Sequence, residues 1–311
     1  MIHSLLDLLA CPYDNHYPLT LEVKELKGEM VIETGDLICP ECQHHFPIQH
    51  GIPNIMPDEL VKGKGDREID DRLKEMEERD IDSSGYDLRY TSLKYKAKYK
   101  TLLDELNPEQ EDIILDLGAG TGVLTASYIN KCKCVVAVDF SFQSLMKLKG
   151  KVKRDSVHLI HADASFLPLR KGIFDKVVSN DLLEHIPSDK LRRAVIKQIY
   201  DMLRKGGELT LSAYHLNFSK KIKGLLKIGD VRGREGYHSD GKIYYYNFTR
   251  KEMEKLLGEL FEVIDVKGLQ HELPVIHLIM GEVFPYFDYL IAMFPFSNIF
   301  ASEILLHCVK R

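Results

Sequence analysis

Residues 113–122 read Ile-Ile-Leu-Asp-Leu-Gly-Ala-Gly-Thr-Gly, and they decide the fold of this chain. The apolar run 113–117, interrupted by Asp116, is typical of a central strand in a parallel sheet. The three glycines lack a Cβ, so the backbone of the turn after the strand can approach a ligand closely. Helix-like sequence begins at Val123, and the free N–H groups of its first turn would point at that ligand. The stretch therefore predicts a strand, a glycine-rich turn and a helix around a bound molecule.

The spacing of the glycines separates two classes of ligand. A dinucleotide fingerprint would place its third glycine at the position of Val123, whereas Gly118, Gly120 and Gly122 are spaced G-x-G-x-G. The carboxylate of Asp116 would repel a pyrophosphate, but it would not repel an aminoacyl ammonium or a sulfonium cation. The turn therefore favours S-adenosylmethionine over NAD as the cofactor.

Acidic residues follow the next two predicted strands. Asp139 ends the apolar run 135–138 and lies 17 residues after the last glycine of the turn, a separation that suits a carboxylate holding both ribose hydroxyls. The alternative for Asp139 is a cap for the helix that follows. Phe140 is placed to pack on an adenine face. Asp163, beside Ala164, follows the strand 157–161 and suits the adenine amino group.

The fourth predicted strand, 174–179, leads into the candidates for catalysis. Polar groups after this strand lie at the carboxyl edge of a parallel sheet, where doubly wound folds bind ligands, so Asn180 is expected in the cofactor site. An acceptor oxygen of high pKa needs a base. His185 is our first candidate for that base and His215, after the fifth strand, is the second. The alternative is that His185 is structural.

Residues 111–311 resemble the class I S-adenosylmethionine-dependent methyltransferases of the type 11/25 kind. The resemblance rests on 115–122, 138–139, 162–164, 174–187 and the run Leu-Arg-Lys-Gly-Gly at 203–207. It implies a Rossmann-like α/β fold with a seven-stranded sheet whose last strand is antiparallel. It also implies a cofactor site made of Asp116, Gly118, Ala119, Gly120, Gly122, Asp139, Phe140, Asp163, Ala164 and Asn180. The resemblance extends to small-molecule, quinone and wobble-uridine tRNA methyltransferases, so it does not name the acceptor. The rival interpretation is a catalytically silent binding module with this fold.

The first 58 residues have the character of a metal-binding ribbon. Cys39 and Cys42 are two residues apart, and two such thiolates can reach one tetrahedral zinc ion. The first half-site is irregular, because Cys11 is followed by Asp14 where a second cysteine would stand, with His16 as a nearby substitute. We predict a zinc site of Cys11, Asp14, Cys39 and Cys42; the alternative is a ribbon that has lost its metal.

This segment resembles the small zinc-ribbon family whose best-known member is the activator subunit of tRNA and protein methyltransferases. The resemblance is carried by 8–12, Leu19, 37–42, Phe46-Pro47-Ile48 and Gly51-Ile52-Pro53. Asp14 departs from the family pattern and puts the fourth ligand in doubt rather than the fold. The chain is thus divided into a zinc-ribbon-like domain at 1–58, a helical linker or lid at 59–110, and a methyltransferase domain at 111–311.

Composition limits the classes of protein that fit this chain. The 311 residues are 44% hydrophobic and 29% charged with a net charge of −5, which is typical of a globular chain and not of an obvious nucleic-acid binder. We find neither a signal peptide nor an apolar run long enough to be a transmembrane segment, so we expect a cytoplasmic protein. In that setting the six cysteines favour metal ligation or burial over disulfides.

Two stretches concentrate positive charge in this acidic chain. Residues 91–100 hold four lysines and no acid, and the predicted insertion 216–242 holds seven basic residues against three acidic ones. We therefore expect an anionic acceptor, either RNA or a phosphorylated or carboxylated small molecule. The alternative is that both stretches are solvated faces, the first docking through Tyr95 and Tyr99. The charged run 66–82 before them predicts an exposed helix.

A second predicted insertion, 273–301, is rich in aromatic residues and prolines. The simplest interpretation is a cover over the sheet edge and the site, packed as core. An apolar substrate mouth or a contact with a membrane surface are the alternatives. The sequence names neither the acceptor nor a protein partner.

Overall fold

A computed structural model describes residues 1–28, 31–62, 67–89, 92–152, 154–218, 220, 233–238, 242–271, 284–292, 294 and 297–311. The strands are β1 (Thr20–Lys27), β2 (Val31–Ile38), β3 (His45–Gln49), β4 (Ile52–Ile55), β5 (Ile113–Leu117), β6 (Cys134–Asp139), β7 (Val157–Ala162), β8 (Phe174–Asn180), β9 (Leu203–Tyr214), β10 (Glu235–His238), β11 (Ile243–Tyr246), β12 (Phe261–His271) and β13 (Ala301–Lys310). The helices are α1 (Asp58–Lys62), α2 (Arg67–Arg89), α3 (Leu93–Leu106), α4 (Thr125–Tyr128), α5 (Phe142–Lys151), α6 (Asp189–Met202), α7 (Arg250–Gly258) and α8 (Phe284–Ala292), with 3₁₀ turns at His3–Leu8, Leu183–His185 and Ser297–Ile299.

One large sheet organises the described part of the chain. Its eleven strands lie in the order β1-β2-β3-β4-β7-β6-β5-β8-β9-β13-β12. Neighbours from β7 to β9 are parallel, whereas β13 runs antiparallel to both β9 and β12. The central strands are apolar runs covered on both faces, as parallel sheets require. The predicted seven-stranded α/β sheet with an antiparallel last strand is confirmed.

The ribbon continues this sheet. Strands β1 to β4 form an antiparallel meander, and β4 then pairs in parallel with β7, Asn54 opposite His161 and Ile55 opposite Ala162. Leu37 and Phe46 of the ribbon belong to the same buried cluster as the apolar residues of β5 and β6. The exposed backbone groups at the edge of β7 are thus satisfied by a strand of the same chain.

Helix α2 corrects one expectation. The charged run 66–82 was expected to be an exposed helix, but Glu75 is only 5% exposed, and the Arg72 and Arg79 side chains are 16% and 21% exposed. The helix packs on α5 and β11 above the carboxyl edge of the sheet. Its charges meet polar groups of the loops below, so a charge run serves here as a polar interface rather than a solvated face.

Much of the two predicted insertions lies outside the described residues. The described parts of 216–242 are 216–218, 220, 233–238, which includes β10, and 242. The described parts of 273–301 are 284–292, 294 and 297–301. Helix α8 packs against α3, where the hydroxyl of Tyr289 lies 3.0 Å from Nζ of Lys100. In the described part of the chain, the helices are too short or too polar to cross a membrane.

Candidate functional site

A cavity opens at the carboxyl ends of β5, β6, β7 and β8, beneath α2. Counted with its open mouth it encloses about 1210 Å³, which is room for a ligand of nucleotide size. Its lining brings together the predicted residues Asp116, Gly118, Ala119, Gly120, Asp139, Phe140, Asp163, Ala164, Asn180 and His185. These come from four separate strand ends, which is the arrangement expected at the carboxyl edge of a doubly wound sheet.

The glycine turn needs glycine for its backbone. Gly118, Gly120 and Gly122 have φ values of 78°, 54° and 75°, a region that residues with a Cβ rarely adopt. A Cβ on Gly122 would lie 2.1 Å from Cδ1 of Leu148, so this residue also permits close packing of α5. Gly122 is not part of the cavity lining among the described residues. Gly120, in contrast, faces open space on the cavity side.

Asp139 braces the turn and the start of α5. One carboxylate oxygen accepts a hydrogen bond from the Gly120 N–H at 2.7 Å, and the other accepts from the Ser141 N–H at 2.8 Å. Burial raises the pKa of the carboxyl, while these two bonds lower it. The cap of α5 itself is Ser141, whose hydroxyl accepts from the Ser144 N–H. Asp139 is thus held rigidly in the cavity wall.

Asp116 is tied to the helix after the turn. Its Oδ2 accepts hydrogen bonds from the hydroxyls of Thr125 at 2.7 Å and Tyr128 at 2.6 Å. Burial raises the pKa of the Asp116 carboxyl to about 6, against the effect of these two donors. The acid inside the strand therefore fixes α4 on β5 as well as lining the cavity.

Asp163 and Asn180 are also held by neighbours. Asp163 accepts from the Ser165 N–H at 2.8 Å and forms an ion pair with Arg72 of α2. Asn180 accepts from the Ser212 hydroxyl at 2.9 Å and donates to Asp181 at 3.2 Å. Such bonding fixes the orientation of both side chains toward the cavity.

Helix α2 supplies the residues that sequence reasoning missed. Arg72, Glu75 and Arg79 line the cavity, and their spacing of three and four puts them on one helical face. The sequence could have indicated these residues through that spacing, which places charged side chains on one face of a predicted helix. Further along the helix, Asp87 accepts from the Thr121 hydroxyl at 2.6 Å and pairs with Lys151 at 2.7 Å. The helix therefore closes the cavity from above and touches the glycine turn.

His185 is held in one tautomer. Its Nδ1 lies 2.8 Å from the carbonyl oxygen of Tyr244, and because a carbonyl only accepts, Nδ1 carries the proton. Nε2 is then left with its lone pair. Glu75 Oε1 lies 3.7 Å from the same Nδ1. Burial lowers the pKa of His185 well below its usual value, so the imidazole is neutral. The second candidate, His215, is not part of the described cavity lining and contacts the Ala301 carbonyl instead.

A buried ionic cluster lies behind the cavity. Lys98 is fully buried, and it pairs with Asp181 and, at 2.6 Å, with Glu303. Burial opposes the charge of Lys98, but the two carboxylates outweigh it and raise its pKa. Both carboxyl oxygens of Glu184 are buried without a hydrogen-bond partner among the described residues, and burial raises the pKa of Glu184 well above its usual value. Lys98, from the basic stretch 91–100, is thus an internal counter-ion rather than a surface charge.

Other basic residues of the two stretches also pair with groups of the chain, but the side chains of Lys100, Arg234 and Lys242 are about half exposed. The amine of Lys220 donates to the His215 carbonyl and to Asn247, both at 2.9 Å. The remaining pairs are Lys100 with Asp104, Arg234 with Glu252, and Lys242 with Glu78. These side chains therefore do not support the expectation of an anionic acceptor. The residues 221–232 lie outside the described part of the chain.

The four predicted metal ligands converge. Ligand atoms of Cys11, Asp14, Cys39 and Cys42 all lie within 4.8 Å of one another. The Cys11 and Cys42 sulfurs are 3.5 Å apart, and the Cys39 sulfur is 3.3 Å from Asp14 Oδ2. Ligands of one tetrahedral zinc are separated by roughly 3.5–3.8 Å, so the donor set fits zinc. His16 is not in the cluster, and its Nδ1 faces Glu41 at 3.9 Å. Sequence reasoning missed His44, whose Nδ1 lies 3.2 Å from the Cys42 sulfur.

Two family models match the chain in separate places. Residues 114–207 match the methyltransferase domain, and residues 3–51 match the Trm112p-like proteins. Residues 114–207 are therefore similar to a methyltransferase domain, in agreement with the fold and the site. In this chain the methyltransferase domain follows a Trm112p-like domain.

Two curated relatives of this chain are methyltransferases by name. The chain is 28% identical over 175 residues to the ubiquinone/menaquinone biosynthesis C-methyltransferase of Wigglesworthia glossinidia brevipalpis, covering 49% of this chain and 66% of that protein. It is 29% identical over 116 residues to an uncharacterized methyltransferase of Mycobacterium tuberculosis, covering 37% of this chain and 57% of that one. The match spans less than two thirds of the length of each relative.

Solved structures share the fold. The complex of the Haloferax volcanii Trm112 methyltransferase activator with a methyltransferase gives a TM-score of 0.55 at 14% identity, covering 75% of this chain and 97% of that chain. The Burkholderia thailandensis 1,6-didemethyltoxoflavin-N1-methyltransferase, solved with its substrate and S-adenosylhomocysteine, gives 0.55 at 16% identity, covering 93% and 99%. At these identities the likeness establishes the fold alone.

Proposed function

We propose that this protein is an S-adenosylmethionine-dependent methyltransferase with a structural zinc ion in its ribbon. The observation that carries the proposal is the convergence of the glycine turn, Asp139, Asp163 and Asn180 on one cavity. The methyltransferase domain model over 114–207 supports the same conclusion.

The cavity wall offers a partner for each part of this cofactor. The carboxylate of Asp139 binds the ribose hydroxyls, Asp163 the adenine amino group, and Phe140 the adenine face. The open side of Gly120 admits the amino-acid portion against the backbone, and Asp116 and Asn180 lie at that end. When bound, S-adenosylmethionine supplies an electrophilic methyl group on a sulfonium sulfur.

The chain contributes positioning and a base. The cavity residues would hold the bound cofactor so that its methyl group lies in line with the acceptor atom. Holding the two reactants in line can supply about 7–11 kcal/mol of the barrier reduction. Nε2 of His185 takes the acceptor proton, and the carbonyl of Tyr244 stabilises the imidazolium through Nδ1–H.

We infer a small-molecule acceptor rather than RNA. Helix α2 covers the cavity, which disfavours a long polyanion. Five basic side chains of the two stretches are already paired with groups of this chain: Lys98, Lys100, Lys220, Arg234 and Lys242. The printed name of one sequence relative, a ubiquinone/menaquinone biosynthesis C-methyltransferase, also favours a small-molecule acceptor. A membrane-surface contact through 273–301 stays a prediction, and exposed Phe287, Leu290 and Phe294 favour it.

We further propose that the Trm112p-like domain acts within this chain. Its strand β4 already pairs with β7, so the sheet edge that it covers does not need a separate subunit. The zinc ion would be held by Cys11, Asp14, Cys39 and Cys42, where it would stabilise the fold of the ribbon.

Calorimetry and a labelling screen test the function together. The protein should bind S-adenosylmethionine and S-adenosylhomocysteine, and it should transfer a labelled methyl group to the small-molecule fraction of a cell extract. Binding without transfer to any fraction would favour the silent module. Transfer to RNA would reject the small-molecule inference.

A further inference from the structure

We propose that the aromatic ring of Tyr13 couples metal occupancy in the ribbon to cofactor affinity in the cavity, through Phe166. The inference rests on the proposed function, because it takes the cavity as the cofactor site and the cysteine cluster as the zinc site. Tyr13 stands in the metal loop between Cys11 and Asp14, about half the chain away from Phe166 in sequence.

On the metal side, Tyr13 stacks on the ring of His44, which contacts the predicted metal ligand Cys42. Its centroid lies 3.8 Å from that of His44 with an interplanar angle of 13°. Nδ1 of His44 lies 3.2 Å from the Cys42 sulfur. A bound ion would fix Cys11 and Asp14 on either side of Tyr13, and it would fix the sulfur against which His44 rests. The orientation of the Tyr13 ring therefore depends on the state of the cluster.

On the cavity side, Tyr13 meets the loop that carries the adenine residues. Its ring packs edge to face on Phe166, with centroids 4.8 Å apart and an angle of 74°. The Phe166 N–H donates to the Asp163 carbonyl at 2.9 Å and closes a turn around Ala164 and Ser165. All three residues of that turn line the cavity. Phe166 is thus the first residue behind the cofactor wall.

The contact cannot relax freely, because two backbone hydrogen bonds join the segment before Tyr13 to the segment after Phe166. The Ala10 N–H donates to the Pro168 carbonyl at 3.1 Å, and the Arg170 N–H donates to the Leu8 carbonyl at 2.9 Å. The Tyr13 hydroxyl donates to Asp58 Oδ1 at 3.1 Å. A movement of the metal loop is therefore transmitted to residues 163–166 rather than absorbed between them.

Coupling of this kind is reciprocal. If the metal-bound ribbon favours the loop geometry that binds the cofactor, the bound cofactor must retain the metal more tightly by the same factor. An aromatic pair of this geometry corresponds to about a three- to tenfold change in an equilibrium constant.

The test uses the full-length protein with S-adenosylhomocysteine as the probe, in calorimetry with parallel zinc analysis. Phe166→Ala and Tyr13→Ala should each weaken binding about three- to tenfold, and the double variant should weaken it no further. Tyr13→Phe keeps the ring but loses the hydroxyl bond to Asp58, so its loss of affinity should be smaller than that of Tyr13→Ala. Val23→Ala, an exposed change on β1, is the matched ribbon control and should leave the affinity unchanged.

Phe166→Ala decides the matter if Tyr13→Ala loses zinc or folds poorly. Phe166 does not touch the cluster, so this variant should keep zinc while affinity falls. In the wild type, S-adenosylhomocysteine should slow zinc loss to a chelator, and in Phe166→Ala that protection should shrink. Wild-type affinity in Phe166→Ala, or equal protection in both proteins, would overturn the coupling. Absence of any binding by the wild type would instead reject the proposed function.

Discussion

The metal cluster and the cavity differ in how the chain builds them. Three of the cluster's ligands are cysteines, two of them in a C-x-x-C at 39–42, and all four ligands come from two short loops of one small meander. The cavity takes its walls from four strand ends and a helix that precedes them by many residues. A local site can be recognised from residue spacing alone. A distributed site is recognised only in part, because its remote contributors have no fixed spacing to the rest.

The largest effect on cofactor affinity is expected from Asp139→Ala. This change removes a carboxylate of the cavity that two backbone N–H groups fix in place. Two hydrogen bonds to a charged acceptor are lost, each of about 1.5–3 kcal/mol, so cofactor affinity should fall by at least about a hundredfold. Calorimetry with S-adenosylhomocysteine measures this. Asp155→Ala, an exposed change, is the control. Unchanged affinity in a folded Asp139→Ala protein would remove Asp139 from the ribose site.

His185→Gln tests whether the cavity contains a base as well as a binding site. Turnover on the acceptor found by labelling should fall about 100- to 10,000-fold while cofactor affinity is kept, because general base catalysis contributes that much. His215→Gln offers the comparison, since His215 is not in the described cavity lining. An equal loss of turnover in both variants would point to stability rather than to proton transfer.

Glu75→Gln tests, through the pH dependence of stability, whether the buried carboxyl of α2 is protonated in the folded protein. Burial raises the pKa of Glu75 to about 7, mainly against the charges of Arg79 and Arg72. The folded protein therefore binds this proton more tightly than the unfolded chain does, and the wild-type free energy of unfolding should fall as pH rises from about 4.5 to about 7.

Glutamine mimics the neutral form of Glu75, so the free energy of unfolding of Glu75→Gln should lack this part of the decline with pH. By pH 8 the wild type should therefore have lost about 3 kcal/mol that the variant keeps. Denaturant titrations at several pH values measure it. Glu77→Gln, an exposed change on the same helix, should follow the wild-type curve. Parallel pH profiles for wild type and Glu75→Gln would mean that Glu75 is ionised in the folded protein.

The smallest effect is expected at the irregular ligand of the local site. Asp14→Ala leaves three thiolates, so zinc affinity should fall by about ten- to a hundredfold rather than vanish. His16→Ala should leave it unchanged, because His16 lies outside the cluster. Competition with a chromophoric chelator measures both. A larger loss in His16→Ala than in Asp14→Ala would reverse the assignment of the fourth ligand.

Prediction from sequence succeeded where the local pattern around a residue allows only one structural role for it. The positive φ values of Gly118, Gly120 and Gly122 were implied by a glycine-rich turn after a buried strand. The seven-stranded sheet was implied by the resemblance to class I methyltransferases, and the alternation of apolar runs with helices agreed with it. Asp139, Asp163 and Asn180 were placed together because parallel strands end at a common edge.

Prediction from sequence failed where one residue type can serve several structural roles that look the same in the sequence. A lysine on a helix is normally solvated, but Lys98 is a buried counter-ion, and only the positions of Asp181 and Glu303 decide this. A charged helix such as α2 has the same composition whether it faces water or a polar cavity. Residue types alone therefore could not separate a surface from an interface.

The sequence by itself determined the strand–turn–helix unit, and it predicted Cys11, Asp14, Cys39 and Cys42 as metal ligands. Each of these follows from local backbone sterics, hydrophobic periodicity or ligand spacing. Only the tertiary structure decided the pairing of β4 with β7, the face of α2 that closes the cavity, and the contact between Tyr13 and Phe166. These depend on complementary partners far apart in the chain, and no local signal in either partner specifies the other.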